Sequence, residues 1–412
     1  MLKPGNNAVI GQSGGPTAAI NASLAGAISK LVSENSDNKV FGMSNGIEGL
    51  LKEKLYDLKH FFPEGSDGLS LLKTTPGAAL GSCRFKLPAP SDDTNGIYRS
   101  LLNILKKYQI GYFFYIGGND SMDTISKISA FAEENSVDLK CIGIPKTIDN
   151  DLILTDHTPG FGCAAKYIAT VFSELRRDTS VYAQKAVTVV EVMGRDAGWL
   201  TAASALSRSA YSDGVDLIYL PEVPFSYDKL FDDIQKVWGR HSDVLIAVSE
   251  GIRLENGVYV GADGSTSDIF GHVKLSGAAK VLEEKIRSRF GCKVRSVELN
   301  TPQRCASHIS SAADISESFD IGAYAVECAL NGKTGFMSGI VRDCDSPYKT
   351  HFELFDIHSV ANKVKGVPAD YIDMVNSFVT DKALSYLKPL ISGEIYPDYS
   401  DGIPKHFIFP KI

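Results

Sequence analysis

At 412 residues, with 44% hydrophobic and 22% charged residues, the chain has the composition of a globular protein too long for one simple core, and two or three structural units are expected. A formal net charge of −7 argues against a general nucleic-acid binder, yet leaves room for Arg and Lys clustered around an anionic small molecule. No run approaches the ~18 apolar residues of a membrane span, and the N-terminal stretch has no secretory h-region. The 7 cysteines form no Cys-x-x-Cys, so reduced, buried thiols and a cytoplasmic location are expected.

Val9-Ile10 leads a short strand into Gly11-Gln12-Ser13-Gly14-Gly15-Pro16-Thr17, and the small apolar stretch from Ala18 to Ile28 reads as a helix packed closely on a sheet. Strand, glycines, helix is the geometry that presents backbone N–H groups and a helix N-terminus to a phosphate. A plain tight turn is the other reading, because the pattern is neither a P-loop nor a dinucleotide fingerprint. Residues 39–50 suggest a second strand and turn, and 75–85 a loop ending just past Arg84, which alone reads as a surface charge. A helix is expected over 96–110 and a strand over 111–116. The strand enters Gly117-Gly118-Asn119-Asp120-Ser121 and a helix with Met122, Ile125, Ile128 and Phe131 on one face. Asp120 or Ser121 reads as the N-cap of that helix, a role compatible with a functional one.

Cys141-Ile142-Gly143-Ile144 reads as a buried strand that Pro145 stops. The polar run after it, Lys146-Thr147-Ile148-Asp149-Asn150-Asp151, is either a surface turn or a ligand loop, since open α/β sheets bind ligands beyond the carboxyl ends of their strands. Strands follow at 186–192, 216–220, 244–248 and 294–299, and helices run to about 177 and over 227–239, 275–290 and 313–331, with an exposed loop at 261–268. Gly322 falls on the apolar face of the last helix, where it would let a neighbour approach closely. From 335 the pattern changes to a strand pair (339–342 with 351–354), a helix near 368–387 and an irregular end from Ile395.

Alternating strands and helices predict parallel sheets covered on both faces, divided into two α/β lobes. Asn119, Asp120, Lys146, Asp149, Asp151, Arg195, Glu250 and Arg304 all lie shortly after apolar runs. Because the carboxyl ends of a parallel sheet lie on one side, these groups can meet in one cleft. Arg and Lys match phosphate oxygens, Asp and Asn can hold Mg²⁺ directly or through water, and a free Asp can accept a hydroxyl proton. Those are the parts of phosphoryl transfer.

Over roughly residues 7–345 the sequence resembles the phosphofructokinase family. The motifs that carry the resemblance are Ser-Gly-Gly at 13–15, Gly-Ser-Cys-Arg at 81–84, Gly-Gly-Asn-Asp-Ser at 117–121 and Pro-Lys-Thr-Ile-Asp-Asn-Asp at 145–151. Met-Gly-Arg at 193–195, Ser-Glu-Gly at 249–251 and Pro-Gln-Arg at 302–304 complete the set. The resemblance implies two Rossmann-like parallel-sheet lobes with helices on both faces and an active site between them. Residues 1–160 with 303–350 would form the donor lobe, 161–302 the sugar-phosphate lobe, and 351–412 a C-terminal extension packed on both. It implies that Asp149 is the general base for the 1-hydroxyl of fructose 6-phosphate, with Thr147 and Arg195 at the transferring phosphoryl group. Met193, Gly194, Glu250 and Arg304 would hold the sugar phosphate, with Lys185 as a further candidate. Arg295 would come from a neighbouring subunit, so a homodimer or homotetramer is implied. Gly14, Gly15, Arg84 and Gly118 would meet the donor phosphates.

ATP-using members carry glycine where Asp120 and Lys146 stand here. A carboxylate at 120 fills space and adds charge where an ATP phosphate would lie, and a lysine at 146 can hold a terminal phosphate of pyrophosphate. Together they resemble the pyrophosphate-dependent branch, with Mg²⁺ as cofactor and no nucleic-acid or membrane partner. Asn119 stands where the family has a metal-coordinating Asp, so Asp151 or Asp120 is expected to carry more of the metal. Thr301 and Cys305-Ala306 also depart from the pattern around Arg304. ATP-dependent chemistry and a catalytically silent, sugar-phosphate-binding regulatory subunit are the alternatives.

Overall fold

The computed structural model describes residues 6–34, 37–267, 273–275, 277–360 and 363–412. Two sheets organise the chain. The first has seven strands: β1 (Asn7–Gln12), β2 (Val40–Met43), β3 (Leu55–Asp57), β4 (Ile110–Gly117) and β5 (Lys140–Pro145) come from the first half. The second sheet has four strands, β6 (Ala186–Val192), β7 (Leu217–Tyr219), β8 (Asp243–Ser249) and β9 (Lys293–Glu298). The chain then returns to the first sheet with β10 (Phe336–Asp345) and β11 (Tyr348–Asp356).

The first sheet runs in the order β11-β10-β5-β4-β1-β2-β3. Its five inner strands are parallel, and β3 and β11 close the edges antiparallel. The second, β9-β6-β8-β7, is parallel throughout. β4 is buried along its whole length, as an apolar strand covered on both faces must be. The helices Ile20–Ser33 and Ala312–Leu330 cross on one face of the first sheet. Backbone meets backbone at that crossing: a Cβ on Gly322 would lie 2.1 Å from the Ser23 carbonyl oxygen, and one on Gly26 1.8 Å from that of Phe319. The close approach expected of Gly322 is therefore present, and the packing energy of the crossing outweighs the helix propensity lost at two glycines.

β11 runs across the division expected at 350/351, because the strand pair near 340 and 352 is a hairpin that closes the first sheet. Beyond it the chain touches both lobes. Phe407 and Phe409 pack on the core of the first sheet, while Tyr371, Val379 and Leu387 pack on the second.

Several elements differ from expectation. The helix expected near 368–387 is broken into a 3-10 turn (Ala369–Tyr371), a strand pair (Ile372–Asp373 with Phe378–Val379) and a helix confined to Asp381–Leu387. Asp373 explains the break: its Oδ1 accepts from the backbone N–H groups of Val375 and Asn376, a local bond that competes with helix formation. Ser377 then adopts φ 49°. Ala262–Ser267 pairs antiparallel with Val273–Leu275 instead of forming a loop, and residue 268 lies outside the described residues. Cys83, Cys141, Cys163 and Cys328 are buried free thiols as expected, whereas Cys292 is half-buried and Cys305 and Cys344 are exposed. Among the described residues no helix is long and apolar enough to cross a membrane.

Candidate active site

The carboxyl ends of the two sheets open into a cavity of about 370 Å³. Each of its polar walls is set by one strand end. β5 supplies Lys146, Thr147 and Asp149; β6 supplies Met193 and Arg195; β8 supplies Glu250; and a 3-10 turn after β9 (Thr301–Arg304) supplies Arg304. β1 contributes Gly15 and Thr17, and the loop after residue 80 contributes Arg84. An adjoining cavity of about 160 Å³ shares Gly15 and Arg84 and is lined further by Ser13, Gly14, Lys86 and Asp120.

The Ser13–Gly15 loop is pinned by the loop after residue 80. Ser13 N–H donates to the Ile116 carbonyl, the Ser13 hydroxyl to that of Cys83 (3.3 Å), and the Ser82 hydroxyl to that of Gly14 (2.6 Å). Gly14 holds φ 75°, which a residue with a Cβ adopts only under strain. At the start of the helix that follows, two backbone donors are already engaged. Thr17 Oγ1 accepts from the N–H groups of Ala19 and Ile20, and a lysine neighbour lies against the glycine loop.

That neighbour is Lys146. Its ammonium is buried and donates to the Gly15 carbonyl at 2.5 Å. Burial pushes its pKa down to about 8, with the charge of Asp149 opposing. Asp149 is shifted the other way: burial, then the charges of Asp151 and Glu250, push its carboxyl up to about 7. Thr147 Oγ1 lies 3.4 Å from Asp149 Oδ2 and accepts from the Asp149 N–H at 3.1 Å. Asp149 is thus a half-buried carboxyl poised to exchange a proton near neutrality, which is what a general base needs.

Across the cavity, Gly194 N–H donates to Glu250 at 3.3 Å, and burial raises the Glu250 pKa. Met193 N–H donates to the side chain of Gln303 (3.1 Å), which ties the Arg195 loop to the turn that presents Arg304. A Cβ on Gly251 would lie 1.9 Å from the Arg195 carbonyl oxygen, so only glycine lets these two loops meet. The Nε of Arg304 is buried without a hydrogen-bond partner, as expected of a guanidinium set for an anion.

Asn119 opens the helix Asn119–Glu134, whose N-cap is Gly118; neither Asp120 nor Ser121 caps it. Neither Asn119 nor Asp151 is on the lining of the two cavities. Asn119 Nδ2 donates to the Lys363 carbonyl at 3.1 Å, while its Oδ1 is buried without a partner. The Asp151 carbonyl accepts from Lys365 N–H at 2.7 Å. No group of three or more His, Cys, Asp or Glu side chains forms a cation cage among the described residues. An orphaned amide oxygen after β4 and a carboxylate after β5, each tied to the 363–365 segment through Lys363 or Lys365, fit the donor chemistry of Mg²⁺, which takes one or two protein oxygens and completes its shell with water and substrate phosphates.

Two candidate site residues do not line this cleft, and one of them, Arg295, is expected to serve a neighbouring subunit. Lys185 precedes β6, at the amino end of a strand whose carboxyl end carries Met193, and its ammonium lies 4.8 Å from the Trp238 ring. Arg295 sits on the edge strand β9, 3.4 Å from Asp178, and does not line this chain's cleft. Conversely, Lys86, Thr17, Asn150, Lys365 and Tyr386 belong to the site or its support without having been singled out. Lys86 stood one residue beyond the Arg84-Phe85 stretch. The last two lie in a tail with no recognisable motif.

The phosphofructokinase family matches residues 7–329. The pyrophosphate–fructose 6-phosphate 1-phosphotransferase of Methylococcus capsulatus is 38% identical over 404 residues, covering 97% of this chain and 95% of that one. The enzyme of the same name from Halomonas elongata is also 38% identical, with the same coverage. The crystal structure of a pyrophosphate-dependent phosphofructokinase from Marinobacter aquaeolei superposes with a TM-score of 0.86 at 36% identity, covering 98% of each chain.

Proposed function

The chain belongs to the phosphofructokinase family, and we propose that its cleft transfers a phosphoryl group from pyrophosphate to the 1-hydroxyl of fructose 6-phosphate. The products are fructose 1,6-bisphosphate and phosphate, and the reaction, a glycolytic step, runs in both directions. One observation carries this reading: a buried lysine and a carboxylate of raised pKa open into the same cavity, Lys146 toward the glycine loop and Asp149 beside Thr147.

Asp149 takes the proton of the attacking hydroxyl, and in reverse returns it. Lys146, Gly14, Gly15 and Arg84 hold the donor phosphates. Arg195 faces the charge on the transferring group, where a fixed cation in a site of low dielectric contributes most. Glu250, Met193 and Arg304 orient the sugar phosphate. Asn119 and Asp151 would hold Mg²⁺, which would supply neutralisation of phosphate charge. Arg295, exposed on its edge strand, would serve the sugar site of a second subunit in a homodimer or homotetramer. A cytoplasmic setting suits the free thiols and the substrates.

Asp120 and Lys86 stand where a nucleotide would continue from the donor phosphates, which favours pyrophosphate over ATP. The presence of both Asp149 and Arg195 in the cleft weighs against a silent regulatory subunit, which needs no base. A coupled assay on the purified protein tests the reading. Turnover with pyrophosphate and little with ATP is expected; comparable rates with ATP would overturn the donor assignment, and no turnover with either would favour the silent binder.

A further inference from the structure

We propose that the C-terminal segment 363–391, which lies beyond the family match at 7–329, positions the Asp149–Asp151 turn, with Tyr386 and Lys365 as its positioning residues. The proposal rests on the functional reading of that turn given above. The turn is not self-supporting. Asn150, between the two carboxylates, is fully buried and holds φ 53°, a conformation that needs outside support.

Both ends of its amide are bound. Oδ1 accepts from Thr158 N–H at 3.1 Å, and Nδ2 donates to the Tyr386 hydroxyl at 3.0 Å. The same hydroxyl donates to the Asp156 carbonyl at 2.7 Å, so it closes the loop from both sides. Lys365 adds three bonds: its N–H to the Asp151 carbonyl (2.7 Å), and its buried ammonium to the carbonyls of Thr155 (3.1 Å) and Asp156 (2.7 Å). Its own carbonyl accepts from Trp199 Nε1 at 3.0 Å, on the second lobe, and the Lys363 carbonyl holds Asn119. One strap therefore fixes the proposed base, both proposed Mg²⁺ ligands and the opposite lobe. None of its side chains lines the cleft, so its effect on the reaction is through the turn.

The test is Tyr386→Phe in the full-length enzyme, a change that keeps the ring packed on Trp199 and removes only the hydroxyl. Hydrogen exchange should quicken in the peptide covering 146–160 and stay as in wild type along β4; unchanged protection at 146–160 would overturn the proposal. In turnover, kcat should fall about 10- to 100-fold, the scale of an ångström-sized misplacement of reacting groups, while the KM for fructose 6-phosphate stays near wild type. Combining Tyr386→Phe with Asn150→Ala should cost clearly less than the product of the two single losses, because the two residues share the Nδ2–hydroxyl bond; fully multiplying losses, or wild-type kcat in Tyr386→Phe, would overturn it. Should Tyr386→Phe fail to fold, Lys365→Met is measured by the same exchange and must loosen 155–157. If the wild-type enzyme turns over neither donor, the functional reading has failed, and exchange alone decides the positioning role.

Discussion

The ammonium of Lys86 lies 2.9 Å from Asp120 Oδ1 across the mouth of the smaller donor cavity. The side chains are 53% and 64% exposed, so the pair adds little to folding stability, ~0–1 kcal/mol for such surface bridges. Its place matters more than its energy. On the donor reading proposed above, the pair lines the space into which a nucleotide would extend from phosphates held at Gly14, Gly15 and Lys146. Restoring the glycines of ATP-using members, Asp120→Gly with Lys146→Gly, removes one member of the pair together with the lysine beside the glycine loop, and should give measurable ATP binding by calorimetry and weaken pyrophosphate use. If ATP remains undetectable in the double variant, Lys86 or the loop around it is the real barrier, and Lys86→Ala added to the pair would show it.

Asp149→Ala should lose about 10²- to 10⁴-fold in kcat, the usual contribution of a general base. Binding of fructose 6-phosphate, measured directly by calorimetry, should change little, because Glu250, Met193 and Arg304 remain. A near-normal rate would remove Asp149 from that role. Lys146→Ala should leave sugar binding alone and raise the KM for pyrophosphate, since its ammonium points at the glycine loop and not across the cleft.

The metal reading gives a separate test. Asp151→Asn removes the one charged ligand of the proposed Mg²⁺ pair and leaves Asn119 as a weak oxygen donor. The Mg²⁺ concentration for half-maximal rate should rise roughly 10- to 100-fold, a scale seen when support for a bound metal is lost. An unchanged Mg²⁺ dependence would place the metal elsewhere, with Asp120 as the next carboxylate to change.

Much of this site was legible because ligand loops in a parallel sheet put polar residues immediately after apolar runs. Lys146, Asp149, Arg195, Glu250 and Arg304 each follow such a run, and the fold brings all five to one cavity. Lys185 shows the limit of that rule. It adjoins an apolar run too, but at the amino end, where the sheet carries it away from the cleft. Tyr386 shows another. Its partner Asn150 is 236 residues away, and a lone tyrosine in a polar tail carries no local signal. The failed helix around Asp373 is a third case, where a side chain that bonds its own backbone beats an apparently helical pattern.

The buried histidine that ties the loop after β5 to the helix Ala312–Leu330 makes a prediction about pH. His157 is 1% exposed, with Nδ1 2.8 Å from Asp156 and Nε2 2.8 Å from Glu317. Burial alone would lower its pKa, but the charge of Glu317 and the bonds to both carboxylates outweigh that and hold it up at about 9. Burial likewise acts to raise Asp156 and Glu317, and the charged imidazolium, together with Arg342 at Asp156 and the hydroxyls of Tyr348 and Thr350 at Glu317, more than offsets it, so both are lowered. For the histidine, folding stability is fully present below the ordinary value of ~6.5 and is lost as pH rises through about 9. For the carboxylates it is present above the ordinary range of ~4 and lost on acidification. The trio therefore stabilises most between roughly pH 5 and 6.5. His157→Gln leaves the buried Glu317 facing a neutral amide, while the half-buried Asp156 keeps its pair with Arg342, and breaking a buried pair costs about 3–5 kcal/mol. In urea unfolding, the gap between wild type and variant should be largest near pH 6 and narrow steadily toward pH 10. A gap that stays constant over that range would mean that His157 is neutral in the folded protein and that its two bonds, not its charge, hold the loop to the helix.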